Sequence, residues 1–226
     1  MDKRPGLVTL YFDEPDATSH DFGPVAKETG KVVQRLDSLV GVLRYKLSGL
    51  PHAERINLII LSDHGMAQLS PDKYINIRDV VPNRMIAGIF GSNPFYLINP
   101  SEGKQDSVLQ LLNATKGLQA WKKAEVPARM HYGTHPRIPE IVVLADSAWS
   151  IGTRAGSASY TGGTHGYDNM NPDMHAIFYA TGPAFKKGRV VESMNNVDIY
   201  NLVCKVLGIK PAENDGNPKS LKPLLK

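Results

Sequence analysis

The sequence contains a single cysteine, Cys204, and lacks any long apolar run. One thiol cannot form an internal disulfide, so the fold must hold together without a disulfide framework. The longest apolar stretches, at residues 58–61 and 141–145, are far shorter than the roughly 18 residues that a membrane-spanning helix needs. The N-terminal residues also lack the apolar core of a secretory signal peptide. The sequence therefore predicts a globular fold with a buried Cys204, no transmembrane helix and no signal peptide in this chain.

The sequence also lacks a strong excess of either charge. Its 26 Lys and Arg residues against 22 Asp and Glu residues give a formal charge of +4, and the basic residues are spread along the whole chain. A protein that follows a nucleic-acid backbone usually gathers its basic residues into a patch or stripe. The sequence therefore predicts no nucleic-acid-binding stripe. With 226 residues, of which 42% are hydrophobic, the chain is long enough to bury a large core.

The first part of the chain has the pattern of alternating strands and helices. Residues 7–12 (LVTLYF) predict a buried strand, and apolar residues at three- and four-residue steps predict a helix of about two dozen residues from Pro24. Residues 56–65 (INLIILSDHG) predict a second buried strand that ends in a polar turn. A strand, helix and strand in this order predict a parallel βαβ unit, whose strand ends would share one sheet edge.

The middle of the chain changes character. Strands are predicted at residues 85–91, 94–99 and 141–145, with helices near 103–115 and 117–124. Residues 152–164, rich in Gly, Ser, Thr and Ala, predict a mobile loop, and a strand near 175–182 and a helix over 197–207 follow. The predicted fold class is α/β. We expect residues 1–84 to be the first part of an α/β metal-site core, 85–150 a small α+β insert or lid, and 151–226 the last part of the core.

Aspartate and histidine residues recur in three turns beside the predicted strands. Asp16 and His20 follow the first strand, Asp63 and His64 end the next one, and His165 lies in a glycine-flanked turn. Imidazole and carboxylate ligands in one site suit Zn²⁺ better than Ca²⁺ or Mg²⁺. Two carboxylates and three imidazoles are enough for a pair of ions, which in hydrolases clamp the attacking and leaving oxygens of a phosphoryl or sulfuryl transfer.

Three segments in this order resemble the nucleotide pyrophosphatase/phosphodiesterase family of the alkaline phosphatase superfamily: LYFDEPDATSHDFGP, LIILSDHGMA and GTHGYDNMNPDMHAIFYATGPAF. The resemblance implies an alkaline-phosphatase-like central sheet with flanking helices and a small α+β insert. It implies two zinc ions per complete site. It assigns one to Asp16, His20 and His165, and the other to a set that includes Asp63 and His64. It also places Tyr11 near the substrate, a small-molecule phosphodiester or nucleotide.

The same resemblance implies parts that this chain does not show. In the family, a threonine nucleophile and a further aspartate ligand of the second zinc precede the first of these segments, and only Met1 to Gly6 precede it here. We therefore expect this chain to be the C-terminal part of a catalytic domain and to be inactive alone. We expect a periplasmic or secreted parent protein. An isolated chain of this kind would expose apolar surface and could self-associate.

Other functions stay open at this point. The chain could be a metal-binding but non-catalytic fragment or pseudoenzyme, or its parent could be a phosphomonoesterase or sulfatase relative. The substrate could be a nucleotide or a lipid phosphodiester, because the pocket residues that separate these substrates lie largely outside the segments that carry the resemblance.

Overall fold

The computed structural model of the chain describes residues 5–156 and 160–226. Its internal contacts define two units. The first, named here the sheet unit, comprises residues 13–35 and 64–175, and the second, the tail unit, comprises residues up to 12, 36–63 and 176–226. The helices are α1 (Asp16–Phe22), α2 (Lys27–Ser48), α3 (Ile77–Val80), α4 (Gln105–Asn113) and α5 (Asp198–Leu207). None of these helices is both long and apolar enough to cross a membrane.

The strands are short, and most of them belong to the sheet unit. Their bounds are β1 (Leu58–Leu61), β2 (Ala67–Gln68), β3 (Tyr74–Asn76), β4 (Ile86–Ser92), β5 (Phe95–Pro100), β6 (Leu118–Lys122), β7 (Ile141–Ala145), β8 (Ser150–Gly152), β9 (Gly163–Thr164) and β10 (Phe178–Thr181).

A four-stranded antiparallel sheet with the order β4, β5, β7, β6 forms the centre of the sheet unit. Ile98 of β5 pairs with Ile89 of β4 on one side and with Ile141 of β7 on the other. All residues of β7 (IVVLA) are buried. A strand that is covered on both faces loses the alternation of apolar and polar residues, which explains why β7 is one continuous apolar run.

Helix α4 closes the core beside this sheet. Val108 and Leu112 lie four positions apart, on one face of the helix, and both are fully buried. The Asn113 side chain joins the end of α4 to β6, because its amide donates to the Ala120 carbonyl at 2.9 Å and accepts from the Ala120 N–H at 2.9 Å. The helix and the sheet are therefore linked by buried apolar side chains and by a paired hydrogen bond.

Two smaller ladders complete the sheet unit. Strand β3 pairs in parallel with β8, with Ile75 opposite Ile151, and both of these side chains are buried. Strand β2 pairs antiparallel with β9, with Ala67 opposite Thr164. This second ladder positions the candidate site, because His165 directly follows β9.

The tail unit has its own apolar core. Strand β1 pairs antiparallel with β10, and helix α5 ends at Gly208, which adopts the left-handed conformation with φ 70° that favours glycine. Cys204 on α5 is buried, as predicted. The core consists of Phe185, Leu202, Leu221 and Leu224, with partly buried apolar residues around them.

Much of the sequence pattern is confirmed. Helix α2 covers most of the range predicted from Pro24, and α4 and α5 lie within their predicted ranges. The predicted strands at residues 85–91, 94–99 and 141–145 correspond to β4, β5 and β7. The division into residues 1–84, 85–150 and 151–226 stays a prediction.

The first predicted strand and the parallel βαβ unit were wrong. Residues 7–12 form no strand in the structure, and all six of them are exposed. A strand needs a hydrogen-bonded neighbour, and within the described residues no strand pairs with this segment, whereas β1 pairs antiparallel with β10. Apolar and β-branched composition is a local property, and it does not reveal whether a pairing partner is present.

Two further predictions need correction. The helix predicted near residues 117–124 is strand β6, where buried Leu118 and Ala120 alternate with exposed Gln119. This period of two was present in the sequence but spans too few residues to stand out. In the segment expected to be a mobile loop, Gly152 and residues 163–164 belong to ladders, and residues 157–159 lie outside the described part of the chain.

Residues 7–12 generate a prediction about association. Val8 and Leu10 are 75% and 64% exposed, so this segment presents apolar side chains to solvent. We expect the unsubstituted chain to self-associate with rising concentration, and the double variant Val8→Lys/Leu10→Lys to associate less. Light scattering over a concentration series measures this, with Lys3→Ala/Lys31→Ala as a control for the number of substitutions. A monomeric unsubstituted chain at high concentration would contradict the prediction.

Asp198 generates a prediction about stability. It is 1% exposed, and its carboxylate accepts from the Asn217 N–H at 2.6 Å and from the Ser220 hydroxyl at 2.7 Å. Hydrogen bonds to a charged group contribute about 1.5–3 kcal/mol each, and Asp198→Ala leaves both donors without this acceptor. We expect the free energy of unfolding, measured in urea, to fall by about 2–4 kcal/mol. Glu213→Ala, at an exposed position four residues before Asn217, is the control, and an equal loss there would contradict this reading.

Candidate metal centre

Helix α1 places Asp16 and His20 on the same face, because residues four positions apart on a helix are neighbours. The Glu14 carboxylate stabilises the first turn by accepting from the Thr18 N–H at 3.1 Å and from the Thr18 hydroxyl at 2.8 Å. His20 Nε2 lies 3.5 Å from Asp16 Oδ2. The sequence predicts this pair in a turn after a strand. In the structure both residues lie on α1, and the helix sets the relative positions of their side chains.

Two glycines let strand β9 approach the end of α1. A Cβ at Gly162 would overlap the His20 carbonyl oxygen, and a Cβ at Gly163 would lie 2.7 Å from the Ser19 carbonyl oxygen. Gly162 also has a positive φ of 71°, which side chains rarely adopt. The close approach allows His20 Nδ1 to donate to the Gly163 carbonyl at 2.9 Å.

The same approach brings His165 to α1. His165 Nε2 lies 3.6 Å from Asp16 Oδ1. The His165 ring stacks on the His64 ring with centroids 3.5 Å apart, and it lies 5.1 Å from the His20 ring. His64 Nε2 is 4.0 Å from Asp16 Oδ1, and His64 Nδ1 contacts the Gly65 carbonyl at 2.8 Å. Three imidazoles therefore surround one carboxylate.

The hydrogen bonds define which ring nitrogens can bind an ion. A carbonyl oxygen only accepts, so the Nδ1 atoms of His20 and His64 carry the protons that they donate to the Gly163 and Gly65 carbonyls. In the neutral imidazole, Nε2 then keeps a lone pair, and on both residues this atom faces the Asp16 carboxylate. A backbone carbonyl that orients a histidine through its other nitrogen is typical of metal sites.

The Asp16 carboxylate fits a bound cation. Its Oδ1 atom is buried and has no hydrogen-bond partner among the described residues, which is costly for a carboxylate oxygen unless a cation balances it. Two ligand atoms of the same tetrahedral zinc ion lie about 3.3 Å apart. The distances from Asp16 Oδ2 to His20 Nε2 and from Asp16 Oδ1 to His165 Nε2, 3.5 Å and 3.6 Å, are close to this value. Ligand atoms of these three residues all lie within 4.8 Å of one another. Two imidazoles and one carboxylate form a donor set that suits zinc with an open fourth position.

The structure does not assemble all the predicted residues in this cluster. Asp63 belongs to the tail unit and is exposed, and its backbone carbonyl accepts from the Asn196 side chain at 3.3 Å. Tyr11 also belongs to the tail unit and is 81% exposed. The predicted roles of Asp63, His64 and Tyr11, like those of the other site residues, stay predictions.

Sequence reasoning missed one ion pair beside the cluster. Arg129 binds Asp168, three residues after His165, through both nitrogens of its guanidinium fork. This pair lowers the pKa of Asp168 and raises the pKa of Arg129, and in each case the hydrogen bonds between the two side chains are the largest cause. Because the two residues are far apart in the sequence, no local pattern relates them.

Comparison with known proteins identifies the family. A model of the type I phosphodiesterase/nucleotide pyrophosphatase family matches residues 1–168, which is most of the chain. The chain belongs to this family. Its α/β, alkaline-phosphatase-like fold, expected from the resemblance, is confirmed by the structural comparison with solved family members.

Individual relatives agree with this assignment. The mouse ectonucleotide pyrophosphatase/phosphodiesterase family member 7 is 34% identical over 232 residues, which cover 100% of this chain and 53% of that protein. The human bis(5'-adenosyl)-triphosphatase ENPP4 is 37% identical, with 97% of this chain and 48% of that protein covered. An inactive variant of murine ectonucleotide pyrophosphatase/phosphodiesterase 5 in complex with AMP matches with a TM-score of 0.86 and 36% identity, over 96% of this chain and 58% of that one. The chain thus spans about half the length of the curated relatives it matches.

The cluster generates a prediction about metal content. We expect the chain, stripped of metal and then dialysed against zinc, to retain about one zinc ion, because three ligands form one open site whereas Asp63 and His64 alone are too few for a second. Asp16→Asn should lower the affinity at least about 100-fold, since it removes the only carboxylate in the ligand set. Isothermal titration with zinc measures the affinity and the stoichiometry.

Asp21→Asn is the matched control, because Asp21 lies on the same helix and is exposed. It should bind zinc like the unsubstituted chain. Two tightly held ions would reveal a further ligand, and equal affinities of the Asp16 and Asp21 variants would contradict the assignment of Asp16.

Proposed function

We propose that this chain is the metal-binding part of a zinc-dependent hydrolase that cleaves phosphodiester or phosphoanhydride bonds in nucleotides. The observation that carries the proposal is the grouping of Asp16, His20 and His165, with a buried carboxylate oxygen that has no hydrogen-bond partner among the described residues, in a chain of the type I phosphodiesterase/nucleotide pyrophosphatase family. One carboxylate and two imidazoles form a donor set that suits a zinc ion.

The relatives support a nucleotide as the substrate. One of them is named a bis(5'-adenosyl)-triphosphatase, and a structural relative was solved with AMP. Both names describe adenosine joined to phosphate. A small nucleotide is also compatible with a chain that has no concentrated run of basic residues and a formal charge of only +4.

We assign the residues as follows. Asp16, His20 and His165 would hold one zinc ion, and Asp63 and His64 would belong to the second of the two ions in a complete site. Bound zinc would act as a Lewis acid and reduce the negative charge that develops on the transferring phosphoryl group. Tyr11 would contact the substrate.

The protein's own contribution is orientation. The carbonyls of Gly163 and Gly65 hold the Nδ1 protons of His20 and His64, so the Nε2 atoms are presented without a change of tautomer. Helix α1 sets the spacing of Asp16 and His20. Gly162 and Gly163, at the start of β9, allow the close approach of that helix to the segment that carries His165. Substrate binding would therefore not require these ligands to reorganise.

Two parts of the proposal concern the whole protein. The threonine nucleophile and a further aspartate ligand would come from outside residues 1–226, so this chain alone would be inactive; its coverage of about half of each relative supports this reading. The whole protein would act outside the cytoplasm, as a periplasmic or secreted enzyme, which the term ectonucleotide in the relatives' names supports. Residues 85–150 would form a small insert beside the metal-site core.

The proposal predicts an activity that depends on Asp16 and on additional chain. A longer version that carries the upstream segment should hydrolyse a nitrophenyl phosphodiester and bis(5'-adenosyl) triphosphate in zinc-containing buffer. This chain alone should be slower by several orders of magnitude, because a covalent mechanism without its nucleophile loses about that much. Asp16→Asn should abolish most of the activity of the longer version, and Asp21→Asn should leave it unchanged.

The assays also separate the alternatives. Preference for a nitrophenyl monoester or a sulfate ester would assign the protein to a phosphomonoesterase or sulfatase instead. Zinc binding without any turnover in the longer version would leave a metal-binding module or pseudoenzyme. Comparable rates for the short and long versions would show that the nucleophile lies within residues 1–226.

A further inference from the structure

The turn that follows His165 is held by a side chain from a distant part of the sheet unit. Arg129 Nη1 donates to Asp168 Oδ1 at 2.7 Å, and Arg129 Nη2 donates to Asp168 Oδ2 at 2.5 Å. Nη1 also donates to the Asn169 side-chain oxygen at 2.7 Å. The guanidinium thus binds two consecutive residues of the turn, in the planar, two-pronged arrangement that arginine forms with carboxylates.

Asp168 passes this restraint to the backbone of the turn. Its Oδ1 atom accepts from the Met170 N–H at 2.9 Å, and its backbone carbonyl accepts from the Asn171 N–H at 2.9 Å. Tyr167 is 6% exposed and donates through its hydroxyl to the Trp149 carbonyl at 2.7 Å. The turn from residue 167 to residue 171 is therefore tied to its surroundings through side chains and backbone.

The link between this turn and His165 is a single glycine. Gly166 has a φ of 94°, in the region that favours glycine, and a Cβ there would approach only Pro94, at ordinary contact distances. Glycine has the largest backbone freedom, so it gives His165 no restraint of its own. The backbone of His165 is therefore held by β9 before it and by the turn after it, and its ring stacks on His64.

Arg129 is itself well positioned for this task. It lies in a short 3-10 turn, Ala128–Met130, in which the Met130 N–H donates to the Pro127 carbonyl at 2.9 Å and the His131 N–H donates to the Ala128 carbonyl at 3.1 Å. The guanidinium is always charged, and its fork is rigid. A lysine at this position would supply the charge but could not bind both carboxylate oxygens and Asn169 in the same plane.

We propose that Arg129 is a positioning residue for the metal centre, which through its pair with Asp168 fixes the turn behind Gly166 and so holds His165 at the distance from Asp16 that a shared ion requires. The inference rests on the proposed function, in which His165 is a zinc ligand. It extends that function to a residue outside the predicted ligand set.

If the Arg129–Asp168 pair only stabilised the fold, its removal would change the melting temperature and not the zinc affinity specifically. The Arg129 and Asp168 side chains are 40% and 26% exposed, and ion pairs at such positions contribute little to overall stability. If the pair positions His165, removing it should weaken metal binding much more than it lowers the melting temperature. Residues that orient metal ligands typically change the affinity for the metal by 10- to 100-fold.

The first experiment measures zinc affinity and melting temperature on the metal-free 226-residue chain. Arg129→Ala should lower the zinc affinity by about 10- to 100-fold and change the melting temperature by only a few degrees. Arg129→Lys should give an intermediate affinity. Asp168→Asn should resemble Arg129→Ala, and the double variant should be no worse than either single variant, because both substitutions remove the same interaction.

Lys122→Ala is the matched control. Lys122 forms an ion pair with Asp106 at 2.8 Å in the same sheet unit, as Arg129 does with Asp168. This variant should keep the zinc affinity of the unsubstituted chain. A zinc affinity of Arg129→Ala equal to that of Lys122→Ala would overturn the proposal.

The second experiment does not use metal and separates the inference from the function on which it rests. Amide hydrogen exchange at residues 165–171 of the metal-free chain should become faster by about 10-fold or more in Arg129→Ala, and it should not change in Lys122→Ala. Unchanged exchange would overturn the role of Arg129. If the unsubstituted chain bound no zinc, the proposed function would fail, whereas faster exchange in Arg129→Ala would still support the restraint on the turn.

Discussion

The carboxylate of Asp16 is the constraint around which the candidate site is organised. Its buried Oδ1 atom has no hydrogen-bond partner within the described residues, and three imidazole nitrogens lie 3.5–4.0 Å from its two oxygens. A buried carboxylate oxygen without a hydrogen bond is unfavourable unless a cation balances it. The proposed cation would balance this oxygen.

The surrounding chain supports this arrangement with backbone contacts more than with packing. Helix α1 provides two of the three clustered residues from one turn of chain, and the carbonyls of Gly65 and Gly163 orient two of the imidazoles. Glycines 162 and 163 are required because any side chain there would collide with the end of α1. A close approach of two backbones is an arrangement that only glycine permits without strain.

The large antiparallel sheet has a different part in the molecule. Buried residues of β5 and β7 pack with buried residues of α4 to form an apolar core. Tyr167, in the turn after His165, packs into that core and donates its hydroxyl to the Trp149 carbonyl, and burial raises the pKa of this hydroxyl. This hydrogen bond links the turn after His165 to the apolar core.

The sequence by itself determined the family, the fold class, the long helix α2 and the identity of the three residues that the structure groups. Those features depend on local periodicity or on residue types within short segments, such as DEPDATSH and GGTHGYDN. Only the tertiary structure decided that residues 7–12 are exposed, that β1 pairs antiparallel with β10, and that Arg129 reaches Asp168. Each of these depends on which distant segment lies beside another. That choice is made by the free energy of the whole fold, and no local stretch of sequence encodes it.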